Sequence, residues 1–270
     1  MRSHIAQGWR LASKHMHLVL LLFLYQLLWG VILYRLIDST VAPLLRRFPG
    51  TPSSQHALHP FMTEAQFHLF KTELITPYLW VIGGLFAARM LITPLFNAGL
   101  YYSLHHEMRD GGGTRFLEGI RKAWKPVMLL YWLESALVLA PAYWLLPKGM
   151  ELVLHSTSLA DLATGILLGA ACWLLWAGLL QLLFLAMQLG AVTGDGMFRT
   201  LGRAASRFLS YASLSLLMWG SGLLLSMVIS GLSVWMAGLI ALILHQSFPL
   251  LRTLIKVWTI ASQYNCLQSK

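Results

Sequence analysis

"LHHEMRDGGGTRFLEGIRKAWK", Leu104 to Lys125, sets four glycines, three acidic and five basic residues between two long apolar runs. Such a stretch could cradle a phosphate, dock a partner, or turn a chain back into a membrane. A phosphate loop needs Gly-x-x-x-x-Gly-Lys-Ser/Thr behind a strand. Here Gly111–Gly113 are followed by Thr114 and Arg115, with an apolar run on either side. Glycine permits the positive φ at which a helix stops, and a threonine can cap the helix that starts next. The stretch reads as stop, turn and restart.

The flanking runs set the class. The 270 residues are 57% hydrophobic and 11% charged, and the mean hydropathy is +0.64. Soluble domains carry about 25% charged residues, and a hydrocarbon core roughly 30 Å thick needs about 20 apolar residues per helix. The composition predicts an all-α, polytopic membrane bundle of six helices, at about 17–36, 75–103, 126–146, 162–192, 208–230 and 233–251. One membrane domain spans 1–270, with an outer cap over about 38–73. Within that cap Thr63 and Gln66 have capping-box spacing, which predicts a short helix from Glu64 to about Thr72.

The net charge of +10 sorts by side of the membrane, so it does not point to nucleic acid. Arg2, Arg10 and Lys14 precede the first helix; Arg109, Arg115, Arg121, Lys122 and Lys125 fill the second gap; Arg199, Arg203 and Arg207 the fourth; Arg252, Lys256 and Lys270 the tail. The opposite gaps hold Arg46, Arg47, Lys71 and Lys148. By the positive-inside rule both termini are cytoplasmic, and the expected location is the plasma membrane. The basic N-terminus has no small-residue cleavage site after Leu18–Tyr34, so that segment reads as a retained first helix.

Three cytoplasmic segments resemble one another: "AQGWRLASK" from Ala6, "LEGIRKAWK" from Leu117 and "TLGRAASRF" from Thr200. They predict three hairpins, each with an amphipathic entry helix in the headgroup layer. The greasy stripes would be Ile5, Trp9, Ala12 and Met16; Phe116, Leu117, Ile120 and Trp124; and Phe198, Leu201, Ala205 and Phe208. The expected partners are the bilayer and its anionic headgroups, met by Arg115, Arg121, Lys122 and Lys125. The alternative partner for this basic segment is a cytoplasmic ATPase, with Gly113–Lys125 as a coupling helix.

Inside the membrane, a rise of about 1.5 Å per residue puts Arg89, Glu134 and His245 each about 18–20 Å below the outer helix ends. Ionisable groups at that depth usually face the bundle interior and pair. The expectation is an Arg89–Glu134 contact with His245 and Gln26 nearby, either as a structural ion pair or as a midplane transport site. Pro94, Pro141 and Pro249 should kink or end their helices. Gly165 and Gly169, then Gly220, Gly222 and Ser226, allow close helix approach.

No catalytic, metal or cofactor constellation stands out. His56 and His59 in a proline-rich loop, His68, and the His105–His106 pair lack the converging ligand set that zinc requires. No Gly-x-Ser-x-Gly or His-Glu-x-x-His occurs. Cys172 and Cys266 fall at different levels, so no disulfide is expected.

Over Pro94–Leu133 the order is Pro94, Ala98-Gly99, Tyr101, Arg109, Gly111, Phe116 and Gly119. In this the chain resembles a group of bacterial six-helix membrane proteins of unknown function, similar to the membrane domain attached to some glycerophosphodiester phosphodiesterases. The resemblance implies the six-helix architecture and no catalytic residues. The resulting expectation is a non-enzymatic membrane or envelope protein; the alternative is a small-solute permease or the permease subunit of an ABC-type transporter.

Overall fold

The computed structural model describes residues 2–47, 76–110, 115–155, 159–235 and 239–268, with side chains over 5–39, 79–107, 115–149, 167–232 and 247–268. These residues form nine helices and no strand: α1 (Arg2–Lys14), α2 (Met16–Arg47), α3 (Thr76–Asp110), α4 (Phe116–Leu139), α5 (Ala142–His155), α6 (Leu159–Thr193), α7 (Met197–Ser206), α8 (Phe208–Trp235) and α9 (Leu239–Gln268). Five stretches are long and apolar enough to cross a membrane: Met16–Ser39, Leu79–Glu107, Phe116–Gly149, Leu167–Thr193 and Phe208–Leu232. The protein is membrane-embedded by that criterion. The sixth expected span, 233–251, runs through 236–238, and the cap helix at Glu64–Thr72 falls wholly among residues outside those described.

The chain divides into two compact units, Leu20–Ile92 and Met1–Val19 with Thr93–Lys270. In the larger unit the core is concentrated where the helices meet the basic turns. Ala98–Tyr101 and Leu104 of α3, Ala123, Val127 and Leu130 of α4, Leu180–Leu189 of α6 at alternate positions, Tyr211, Leu214 and Met218 of α8, and Val257–Ala261 of α9 supply its buried side chains. Further along, α6 exposes Leu167, Leu168, Leu174 and Leu175 and α8 exposes Leu223, Leu224 and Met227. Such surfaces suit hydrocarbon, which leaves no hydrophobic force to drive those halves together.

At the basic end two short helices, α1 and α7, add to this core. α1 turns its Gly8, Leu11 and Ala12 stripe onto α9. Trp9 meets Trp258 edge-on at 4.9 Å, and the Trp258 Nε1–H donates to the Ile5 carbonyl at 2.9 Å. α7 lays Thr200 and Ala204 against α6, with Thr200 packed on Gly190. Gly194 (φ 76°) and Gly196 (φ 93°) make the turn into α7, a backbone that side-chain-bearing residues rarely adopt.

The three related entry segments do not fold alike. The first and third are separate helices that end at His15 and Arg207, whereas the second is the opening of α4 and runs on through Pro126. Its Gly119 sits where a β-carbon would stand 2.5 Å from the Tyr102 Cβ, and Gly99 packs on the Phe116 ring at 2.6 Å in the same sense. This mutual interlock of α3 and α4 holds the restart against the helix that precedes it.

Pro94 and Pro249 stay inside their helices, but Pro141 separates α4 from α5. A proline at 141 has no N–H for the Leu137 carbonyl four residues back. Trp176 of α6 donates its indole N–H to that carbonyl at 3.1 Å, and Trp173 donates to the Val138 carbonyl at 2.8 Å. Two indoles thus serve backbone acceptors that water cannot reach in a bilayer.

Candidate functional site

Glu134 lies on α4, about two helical turns before the Pro141 break, and is half-buried. Its carboxylate Oε2 accepts from the Gln188 Nε2 of α6 at 3.1 Å. Tyr101 of α3, itself buried, is within electrostatic reach of Glu134, Tyr131 and Tyr211. The Tyr211 hydroxyl donates to the Leu182 carbonyl at 3.3 Å, and the Ser215 hydroxyl to the Tyr211 carbonyl at 2.8 Å. Gln263 of α9 donates its amide to the Ser215 Oγ at 2.6 Å. Hydrogen bonds therefore join α4 to α6, α6 to α8 and α8 to α9 as a polar seam in an apolar bundle, with Tyr101 of α3 near Glu134.

Of the four residues expected in the midplane layer, Glu134 belongs to this seam. Arg89 and Gln26 belong to the other unit, and the His245 side chain lies outside the described residues. Gln188 is the partner that a count of ionisable groups misses. An amide within "FLAMQLG", Phe184–Gly190, is the signal that would have found Gln188.

A second polar group sits at the basic end. The Glu107 carboxylate, with its side chain only 4% exposed, is paired with the Lys14 ammonium. The His15 Nε2 lies 3.9 Å from the other Glu107 oxygen, and neither ring nitrogen of His15 has a hydrogen-bond partner among the described residues. Burial in this joint pushes the His15 pKa below its ordinary value; Glu107 pulls it up, and His17 and Lys14 push it down. Beside it the His105 Nδ1 and the Tyr264 hydroxyl share a hydrogen bond at 2.6 Å. Cys266, also buried, has its thiol pKa raised by burial, which keeps it protonated.

The third group is the opening stretch itself. Glu118 takes the Lys122 ammonium at 2.8 Å and the Arg115 guanidinium at 3.5 Å. The Tyr102 hydroxyl donates to Glu118 Oε1 at 3.4 Å and accepts from Lys122 at 3.4 Å. Arg121 and Lys125 are exposed, and neither has a carboxylate partner among the described residues; the Lys125 ammonium lies 5.8 Å from the Trp124 ring centre. Of the four expected partner-facing cations, one acid engages two.

Among the described residues no set of His, Cys, Asp and Glu converges as metal ligands, and both cysteines are free. A shallow recess between α6, α7 and α9 is lined by Thr193, Asp195, Thr200, Arg203 and Tyr264, with the Arg203–Asp195 pair at 3.0 Å on its rim. Glu134 does not line that recess. No protein-family model matches the chain, and comparison with curated proteins and with solved structures finds no match.

Proposed function

We propose that the chain is a multi-pass protein of the plasma membrane, with both termini cytoplasmic, that works without enzymatic chemistry as a structural or partner-organising element of the membrane. The observation that carries this reading is the Glu134–Gln188 hydrogen bond. The carboxylate in the membrane-spanning stretch meets an amide of the neighbouring helix, and the recess at the basic end does not include it. Ionisable groups inside a bilayer usually face the bundle interior or a water-filled cavity and pair, and we read a buried pair with no such cavity beside it as structural. The concentration of Lys/Arg at the turns that carry α1 and α7 supports the cytoplasmic assignment. The resemblance to membrane domains found beside phosphodiesterases implies a six-helix layout and adds no activity.

The competing reading is a small-solute permease or ABC-type permease subunit, with Glu134 as a midplane site. The continuity of α4 from Phe116 through Leu139 counts against a separate coupling helix at 113–125. Reconstitution into liposomes loaded with a pH-sensitive dye separates the readings. Wild type and Glu134→Gln should show the same passive proton leak, with or without added small solutes. A solute-dependent flux that Glu134→Gln abolishes would replace the structural reading with transport. Reporter fusions at each terminus test the topology independently.

A further inference from the structure

We propose that Arg121 and Lys125 form the headgroup site for an anionic phospholipid on the outward face of α4, separate from the Arg115–Glu118–Lys122 cluster. The inference rests on the membrane reading above and assigns a ligand class to part of its basic face.

At 3.6 residues per turn, Leu117, Arg121, Trp124, Met128 and Trp132 fall in one stripe, with Lys125 at its edge. The buried positions of α4, which are Gly119, Ala123, Val127 and Leu130, lie on the far side of the helix. Leu117 is 79% exposed and Trp132 44% exposed, so the stripe faces away from the protein. Two kinds of cation are thereby distinguished. Arg115 and Lys122 flank the stripe and are already held by Glu118 and Tyr102. Arg121 and Lys125 lie one turn apart with no described carboxylate, beside an indole and directly ahead of apolar side chains on the same helix.

That order matches a phospholipid from phosphate to acyl chain. The guanidinium offers a planar fork of donors and the ammonium a second charge. Trp124 stands at the level where indoles sit among headgroups, and Met128 and Trp132 continue along the start of the chain. An acidic protein would match the charges but not the apolar run that follows without a break. α4 enters its membrane-spanning stretch as the same helix, so a ligand on this stripe must tolerate both environments.

The test uses the full-length protein in bilayers at about 0.15 M salt, where charges on an open surface are screened beyond roughly 8 Å. Electron spin resonance of spin-labelled phosphatidylglycerol and phosphatidylcholine gives the relative affinity of the protein for the two lipids. The wild type should prefer phosphatidylglycerol. Arg121→Gln with Lys125→Gln should lower that preference by roughly tenfold, while Arg115→Gln with Lys122→Gln leaves it within about twofold. An equal fall in both double variants, or no preference in the wild type, overturns the site and leaves the membrane reading standing. Displacement of the labelled lipid by millimolar inorganic phosphate, or by a polyglutamate peptide, would overturn it in favour of a soluble anion or an acidic partner. Unchanged thermal unfolding of the double variants shows that a lost preference is not lost folding.

Discussion

Gly8 of α1 lies so close to Ser262 of α9 that a β-carbon at position 8 would stand 2.9 Å from the Ser262 backbone nitrogen and 3.0 Å from its Cα. The counterpart glycine in the third entry segment, Gly202, would give a β-carbon nothing within 4 Å. Gly8→Ala must therefore push two helix backbones apart and should cost about 1–3 kcal/mol. Gly202→Ala adds a better helix former in open space and should gain up to about 1 kcal/mol. Unfolding of both variants in detergent, followed by tryptophan fluorescence, checks the opposite signs.

The indole donors at the Pro141 break give a second expectation. Trp173→Phe and Trp176→Phe each keep most of the ring volume and remove one N–H, from the Val138 and Leu137 carbonyls respectively. A buried acceptor left without a donor costs about 1–3 kcal/mol. In a proline-free background, Pro141→Ala, residue 141 supplies its own N–H to Leu137. The Trp176→Phe penalty should then shrink and the Trp173→Phe penalty persist, a difference read from the same unfolding assay.

Glu134 and Gln188 can be separated by a double-mutant cycle. Glu134→Gln preserves an acceptor for the Gln188 amide and should change stability by less than about 1 kcal/mol. Glu134→Leu leaves that amide buried and unpartnered and should cost about 1–3 kcal/mol. Adding Gln188→Leu to Glu134→Leu should recover most of the loss, since apolar replacement of both partners can be nearly neutral. Additivity of the two leucine changes would show that the hydrogen bond does not couple α4 to α6.

The residues that were legible in the sequence and those that were not differ for a physical reason. Helix length and the sorting of Lys/Arg follow from the chemistry of bilayers; the apolar stretch at 17–36 falls inside α2, and that at 75–103 coincides with α3 from Thr76 on. Pro141 was readable as a break because its missing N–H is a local property. A residue count offers an expected depth for Glu134, but not the direction in which it points around its helix. α6 and α8 are apolar on every side, so periodicity marks no inward face, and only packing puts Gln188 beside Glu134. The continuity of α4 through Pro126 was hidden for a similar reason. A helix tolerates proline when tertiary contacts hold it, and those contacts are Gly119 with Tyr102 and Gly99 with Phe116.

His15 predicts a pH dependence. Its folded-state pKa lies below the ordinary 6.5, so the unfolded chain takes up the proton first as pH falls. Stability is full above the unfolded value and declines as pH drops through about 6.5, with a slope of at most about 1.4 kcal/mol per pH unit for one proton, until the folded state also titrates. Protonation would occur beside Lys14 and His17 on the near side and Glu107 on the far side. His15→Gln should flatten the stability difference between pH 7.5 and 5.5 relative to wild type; the same dependence in both proteins would assign it to other histidines.

The Trp258–Ile5 hydrogen bond spans 253 residues of chain. At a synthesis rate of about 5–20 residues per second, the docking face for α1 leaves the ribosome roughly 13–50 s after α1 itself. During that interval the Leu11 and Ala12 stripe has no α9 to meet, so the nascent α1 needs another apolar surface, and the membrane next to Met16 is the nearest. Docking of α9 is then also the event that gives the α1 stripe its partner within the protein, so a contact at the start of α1 depends on a segment made more than two hundred residues later.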